Sequence, residues 1–143
     1  MIIKQISVFM ENKPGKIADI TDILASENIN IRAVNIADTV DFGILRMIVD
    51  KPIEAESILR EKNYSVSIAD VVAVTIDDGI GKFAKLMDIF KKANLNIDYL
   101  YSFIGEAAEA VIVLKADNTE NCLEVLKKNN ANILTYNELG KVE

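Results

Sequence analysis

GKIADITDILASENINI (residues 15–31) returns 66 residues later as GKFAKLMDIFKKANLNI (residues 81–97). Eight positions of this stretch are identical in the two copies, among them Gly15/Gly81, Lys16/Lys82 and Asn30/Asn96. An internal repeat of this kind indicates that one small structural unit occurs twice in the chain. We therefore look for functional residues at the positions that both copies keep.

Length and charge restrict the possibilities further. A chain of 143 residues holds two units of about 70, a size near the lower limit for burying an adequate core alone. We predict domains at residues 1–69 and 70–143, held close because only Ala69 and Asp70 separate the predicted strands. The net charge is −6 and no basic cluster occurs, which excludes nucleic acid as a partner. No apolar run is long enough to cross a bilayer, and we expect a cytoplasmic protein without a membrane partner.

Hydrophobic periodicity predicts the elements of the first copy. Alternation of Ile6, Val8 and Met10 suits a strand, and helical spacing of Ile17, Ile20 and Leu24 gives a helix with one buried stripe. The predicted strands are residues 3–10, 29–37, 42–49 and 64–68, and the predicted helices are 16–27 and 53–62. The second copy predicts strands 71–76, 97–103, 110–116 and 132–136, with helices 82–93 and 120–129. Each copy is thus βαββαβ, the ferredoxin-like order, with an antiparallel sheet and both helices on one face.

The residues that usually carry catalysis are scarce. Histidine is absent, and the one cysteine, Cys122, lies on a helix stripe where a small buried hydrophobic side chain is expected. Asp77 and Asp78 lie at a strand-to-helix turn, where we expect them to favour the helix N-terminus by capping and by its dipole rather than to bind a metal. We expect no catalytic residue, no metal and no cofactor, and hence no enzyme.

The turn Asn12-Lys13-Pro14-Gly15 ends a strand and opens a helix. A Pro-Gly step allows a sharp reversal that aims the first helix amides outward, where they can bind a carboxylate. The second copy keeps glycine at the helix entry in Asp77-Asp78-Gly79-Ile80-Gly81. The competing interpretation is a turn with no further role.

In each copy, two asparagines lie where the first helix ends and the second strand begins. Asn28 and Asn94 suit left-handed positions at a helix C-terminus. Asn30 and Asn96 follow between strand-forming residues, which leaves two interpretations: a turn signal or a polar handle for a ligand.

These residues, in their βαββαβ setting, resemble the ACT domain, a small amino-acid-sensing module of metabolic regulation, over nearly the whole chain as a tandem pair. Asn12, Pro14, Gly15 and Asn30 stand where the serine-sensing ACT domain of phosphoglycerate dehydrogenase carries ligand-contacting asparagines and a Pro-Gly turn. Met10 replaces a histidine of that pattern, and the second copy has Asp78 in place of Asn12.

The resemblance implies two ACT units side by side in one eight-stranded sheet, with ligands at the seam. It would pair Asn12 and Gly15 with Asn96, and Asp78 and Gly81 with Asn30. The implied ligand-binding residues are Asn12, Lys13, Pro14, Gly15, Lys16, Ile17, Asn30, Ile31, Asp78, Gly79, Ile80, Gly81, Lys82, Asn96 and Ile97.

The sequence thus predicts a stand-alone, non-catalytic regulator that binds a small amino acid between ACT units. We expect chains to form homodimers through their remaining apolar surface. The alternative is a regulatory subunit, resembling the small subunit of acetolactate synthase, that docks to a biosynthetic enzyme without a ligand of its own.

Overall fold

The computed structural model describes residues 1–38, 41–104 and 109–139. The chain divides into two compact units, which we call the first unit (Lys4–Ala69) and the second unit (Asp70–Glu143, together with Met1–Ile3). The predicted domain boundaries stay a prediction, and residues 140–143 of the predicted second domain lie outside the described residues.

The first unit has the predicted βαββαβ order. Strand β3 pairs antiparallel with both β1 and β2, and β4 lies on the other side of β1, so the strand order is β2-β3-β1-β4. Alternation places Ile6 and Val8 of β1 on one face, where Ile20 and Leu24 of α1 and Leu59 of α2 cover them to form the core. The elements are β1 (Ile3–Glu11), α1 (Lys16–Ser26), β2 (Ile31–Asp38), β3 (Phe42–Val49), α2 (Pro52–Glu61) and the beginning of β4 (Ser65–Ile76).

The second unit repeats this topology. Strand β6 pairs antiparallel with β4 and β5, and β7 pairs antiparallel with β4, which gives the order β7-β4-β6-β5. Val74 of β4, Phe90 of α3, Leu114 of β6 and Leu126 of α4 belong to its core. The elements after β4 are α3 (Lys82–Lys92), β5 (Ile97–Ile104), β6 (Ala110–Ala116), α4 (Thr119–Lys128), β7 (Asn132–Leu134) and α5 (Tyr136–Leu139). The antiparallel sheets with helices on one face confirm the predicted fold.

The described residues form seven strands, where the sequence predicts eight. The predicted strands 64–68 and 71–76 are both parts of β4, which runs for 12 residues. The joint of Ala69 and Asp70 contains no glycine to supply a positive φ and no proline to remove a backbone donor, so the extended backbone can continue through it. The prediction of two separate strands at this joint is therefore wrong.

The predicted last strand, 132–136, is also too long. Strand β7 ends at Leu134, and Tyr136 opens the short helix α5. The Thr135 N–H donates to Oε2 of Glu138 at 2.6 Å, and the Glu138 N–H donates to Oγ1 of Thr135 at 3.4 Å. This reciprocal pair is a capping box, which starts a helix where the strand would otherwise continue.

Each of the four longer helices ends at an asparagine with a left-handed backbone. The φ angles are 58° at Asn28, 67° at Asn63, 53° at Asn94 and 55° at Asn130. In the first case the Ile29 N–H donates to the Leu24 carbonyl at 2.9 Å, and the other three helices have an equivalent bond. This bond defines the Schellman motif, which satisfies the free carbonyls of a helix end. The predicted left-handed positions of Asn28 and Asn94 are confirmed.

Candidate functional site

The first turn presents an uncapped helix start. Gly15 is the N-cap residue of α1, with a φ of 87° that favours glycine, and no side chain caps the helix. No described residue accepts a hydrogen bond from the amides of Ile17 and Ala18, the second and third residues of α1. Two N–H groups at the positive end of the helix are therefore available to an anion.

Within the same turn, backbone bonds and an ion pair fix the remaining residues. The Asn12 N–H donates to the Asp41 carbonyl at 3.2 Å, while the Asn12 side chain is exposed. Nζ of Lys13 lies 2.6 Å from Oε2 of Glu11, and this contact lowers the pKa of the Glu11 carboxyl and raises the pKa of the Lys13 ammonium. Lys13 thus already has an acidic partner in the turn.

The second turn has the same backbone form. Gly81 is the N-cap residue of α3 with a φ of 81°, and the amides of Phe83 and Ala84 find no acceptor among the described residues. No side chain caps this helix either, so the expected capping by Asp77 and Asp78 is wrong. Because the left-handed glycine occupies the cap position, the two carboxylates lie three or more residues before the helix begins.

The strand-opening asparagines are held through their backbone. The Asn30 N–H donates to Oδ1 of Asp50 at 2.9 Å, and its carbonyl accepts from the Asp50 N–H at 3.1 Å. In the second unit the Asn96 carbonyl accepts from the Asp117 N–H at 3.0 Å. The exposed side-chain amide of Asn30 makes no bond to a described residue, whereas Nδ2 of Asn96 donates to Oδ1 of Asp98 at 3.2 Å. The backbone explains both positions, and the Asn30 amide is left open to a ligand.

The turn and the strand-opening asparagine of one unit lie at opposite ends of its sheet. In the first unit Met10, next to the turn, pairs with Gly43 near the start of β3, and β2 also ends there. Ile31, which follows Asn30, pairs with Val49 at the far end of β3. Eight residues of β2 separate the two places by about 23 Å. The second unit has the same register, so neither unit brings its own turn and asparagine together.

Each unit has a surface cleft beside its turn. The first cleft has a volume of about 340 Å³ and the second about 310 Å³. Every residue that lines the first cleft has an equivalent, 66 or 67 positions later, in the lining of the second. The first cleft is lined by Phe9, Met10, Glu11, Lys16, Phe42, Asn63, Tyr64 and Ser65.

The two clefts differ in chemistry although they share their form. In the first, Phe9 and Phe42 are 48% and 58% exposed, so two aromatic rings stand at the cleft beside Lys16. The equivalents of these rings in the second cleft are Thr75 and Glu109, beside Lys82. The sequence prediction included the two lysines and missed the rest of the lining. The constant spacing of the repeat shows which residues of the two copies are equivalent. It does not show that they line a cleft, because they come from distant parts of the chain.

Neither a reactive thiol nor a cluster of metal ligands occurs among the described residues. Cys122 is fully buried in the core of the second unit, and burial raises the pKa of its thiol to about 11, with a smaller contribution from Asp117. The described residues contain no group of three or more His, Cys, Asp or Glu side chains able to share a metal ion. None of the helices in the described ranges has the length and apolar character needed to cross a membrane.

Comparisons with known proteins agree with this architecture. A family model described as an ACT domain pair matches residues 1–143. The crystal structure of protein BT0572 from Bacteroides thetaiotaomicron is 38% identical, covers 97% of this chain and 96% of that one, and superimposes with a TM-score of 0.91. Among curated proteins, none matches significantly.

More distant structures share the fold. The ligand-free regulatory subunit of aspartate kinase from Thermus thermophilus has a TM-score of 0.64 at 16% identity, covering 87% of this chain and 91% of that one. The crystal structure of the aspartokinase alpha and beta subunits gives a TM-score of 0.58 at 17% identity, covering 89% of this chain and 95% of that one. Since the family model matches the whole chain, and the fold and a relative with 38% identity agree with it, the chain belongs to the ACT domain family as an ACT domain pair.

Proposed function

We propose that this ACT domain pair is a non-catalytic regulator that binds an amino acid and acts in the cytoplasm as a homodimer. The observation that supports this function best is the pair of uncapped helix starts, at Gly15 and Gly81, each with two free amides and a lysine as the first helical residue. By contrast, α2 opens with Pro52, which has no N–H, and α4 is capped by the Asn118 side chain. An amino-acid carboxylate satisfies both amides and is attracted by the helix dipole.

The adjoining cleft would select the ligand's side chain. Phe9, Phe42 and Tyr64 give the first cleft an aromatic lining, which favours an amino acid with an apolar side chain. The second cleft, with Thr75, Glu109 and Asn132, favours a polar one. The two units would therefore respond to different ligands, or only one of them would bind.

The ammonium group of the ligand needs an acceptor, and side-chain amide oxygens of asparagine provide one. Because a turn and a strand start of one unit are about 23 Å apart, one ligand cannot touch both within that unit. We propose that Asn12 and Gly15 act with Asn96, and Asp78 and Gly81 with Asn30, so that each ligand is shared between two units. Ligand binding would then stabilise the paired arrangement through its higher affinity for that state.

Calorimetric titration with each of the common amino acids tests the proposal. We expect an apolar amino acid to bind, and Gly15→Val to weaken that binding by about 1 to 3 kcal/mol, because a branched side chain would stand where the carboxylate approaches the backbone. A Cβ at Gly15 meets no described atom within 4 Å, but the φ of 87° strains a branched residue. We therefore expect the variant to be less stable than the native chain, and circular dichroism checks that it is folded before the titration. Unchanged affinity in the folded variant would assign Gly15 to turn geometry alone.

A double-mutant cycle tests the shared ligand. Asn12→Ala and Asn96→Ala should each weaken binding by roughly 1.5 to 3 kcal/mol, and together by less than the sum, because both side chains serve one ligand. Asn121→Ala is the control, since this exposed asparagine of α4 is distant in sequence from both turns. Additive losses would favour pockets confined to single units.

A regulatory subunit that docks to an enzyme without its own ligand is the second candidate. The observation that favours it is Ile80, a large apolar side chain that is fully exposed on the second turn. If no amino acid produces heat with the folded protein, docking becomes the better account of the two turns.

A further inference from the structure

The helices of the two units carry opposite charge. We call α1 with α2 the first helix layer and α3 with α4 the second helix layer. The first contains five carboxylates against Lys16 and Arg60, a net charge of −3, and the second contains six lysines against three carboxylates, a net charge of +3. The chain as a whole is acidic, at −6, so the positive layer is a local feature of the helices.

The contrast arises at equivalent positions of the repeat. Asp19 of α1 corresponds to Lys85 of α3, and Glu61 of α2 corresponds to Lys128 of α4. None of these four residues forms an ion pair with another described residue. Charges of one sign in each layer are therefore left without local compensation, which favours a partner of the opposite sign.

A groove between α3 and α4 gives the positive layer a shape that another helix could enter. Its volume is about 450 Å³. Ile89, Ala93 and Val125 are half-buried and form its apolar floor, and Lys85, Lys92 and Lys128 line it as well. Nζ of Lys92 already lies 2.8 Å from Oδ2 of Asp88, but an exposed ion pair of this kind contributes little to the stability of the fold.

The outward stripe of α1 matches that groove. Ala18, Asp22 and Ala25 are all exposed and recur at spacings of four and three, so they lie on one side of the helix. Two alanines allow close approach of another helix, and Asp19 lies next to the stripe and adds negative charge. A helix face that is small, partly apolar and acidic fits a groove with an apolar floor and lysines around it.

We propose that the second helix layer binds the first helix layer of another copy of this chain, with α1 of that copy in the α3–α4 groove. The inference takes up the dimer of the proposed function and gives it an interface, but it does not depend on ligand binding. Single exposed ion pairs are weak, so the affinity would come from several charges acting together and from covering the apolar floor. Each chain carries one layer of each sign, so each copy can supply either side of this contact.

The test exchanges charges between equivalent positions and measures self-association by sedimentation velocity. Lys85→Asp with Lys128→Glu makes both layers acidic, and Asp19→Lys with Glu61→Lys makes both basic. Each variant alone should lose self-association by at least about tenfold, because like charges then face each other. A mixture of the two variants should recover a dimer, because acidic layers meet basic ones.

Association of the native chain should weaken between about 0.1 M and 1 M salt, where the Debye length falls from about 10 Å to about 3 Å.

Lys51→Glu with Lys62→Glu is the matched control. It changes the net charge by the same amount as the first variant but lies beside the acidic layer, so self-association should not be lost.

If the reversed chains fail to fold, Lys85→Gln with Lys128→Gln should still weaken association, since it removes the attraction without adding repulsion. A monomeric native chain at low salt, variants that associate like the native chain, or a mixture that stays monomeric would each overturn the proposal. None of these measurements uses an amino acid, so failure here leaves the sensing function standing.

Discussion

At the scale of single residues, the features that depend on local backbone chemistry were predictable. Asn28 and Asn94 occupy the left-handed positions expected of them, because only the residue's own φ preference is involved. Gly15 and Gly81, expected to allow a sharp turn at the helix entry, are left-handed as well. Side-chain partners were not predictable in the same way. Asp78 does not cap α3, and Nδ2 of Asn96 bonds to Asp98, because each polar group has several possible partners that only the folded chain distinguishes.

Cys122 leads to a prediction about alkaline stability. Its thiol has a pKa of about 11 in the folded chain, above the ordinary value of about 8.5, because burial disfavours the thiolate. Between these pH values the unfolded chain loses the proton first, so the contribution of Cys122 to stability is complete below about pH 8.5 and is lost as the pH rises toward 11. At high pH the loss in the free energy of unfolding should reach roughly 3 kcal/mol, at about 1.4 kcal/mol for each pKa unit.

Urea unfolding of the native chain and of Cys122→Ala between pH 8 and pH 11 checks this expectation. The variant has a small cavity and should start from a lower stability, so the slope with pH is the informative quantity. All other side chains are common to the two proteins, so their effects cancel in the comparison. Equal slopes for the two proteins would show that Cys122 titrates normally in the fold.

At the scale of elements, periodicity predicted the long helices and the central strands, including β3 and β6 with their observed bounds. It did not predict the continuity of β4 or the short helix α5. Alternation predicts extended backbone on both sides of Ala69 and Asp70, but it cannot say whether the chain turns between them. The capping box at Thr135 competes with the final strand over only a few residues, where pattern carries little information.

The helix-ending asparagines give a test at this scale. Asn63→Ala should destabilise the fold by about 1 kcal/mol, because alanine tolerates a φ of 67° less well, whereas Asn63→Gly should be neutral or slightly stabilising. Asn130 is the equivalent residue of the second unit and should respond in the same order. Thermal unfolding followed by circular dichroism measures both series.

The exposed residue Asn121, on α4, provides the control, since its alanine variant should stay close to the native stability. Asn63 and Asn130 also line the two clefts, so both series are measured without added amino acids. Equal stabilities of the alanine and glycine variants would show that backbone conformation is not what asparagine contributes at these positions.

At the scale of the whole molecule, the repeat predicted the fold because two copies of one pattern support each other's interpretation. The candidate site was predictable only in part. The turns stand out as sequence motifs, but the cleft beside each turn joins residues as distant as Phe9 and Tyr64, and no local pattern links them. The separation of Asn30 from its own turn follows from strand register, which periodicity alone does not give.

The last prediction concerns cooperativity between the units. Each has about 70 residues, near the lower limit for independent stability, and β4 runs without a break from Ser65 in the first unit to Ile76 in the second. We therefore expect the chain to unfold in a single transition.

Leu59 and Leu126 are equivalent, fully buried core residues, one in each unit, and replacing either with alanine should lower the free energy of unfolding by about 2 to 5 kcal/mol. In native-state hydrogen exchange, either variant should accelerate the slowest amides of both units by a similar factor, because those amides open only when the whole chain unfolds. Acceleration confined to the substituted unit, or two separate transitions in urea, would instead mean that the two ACT units fold independently.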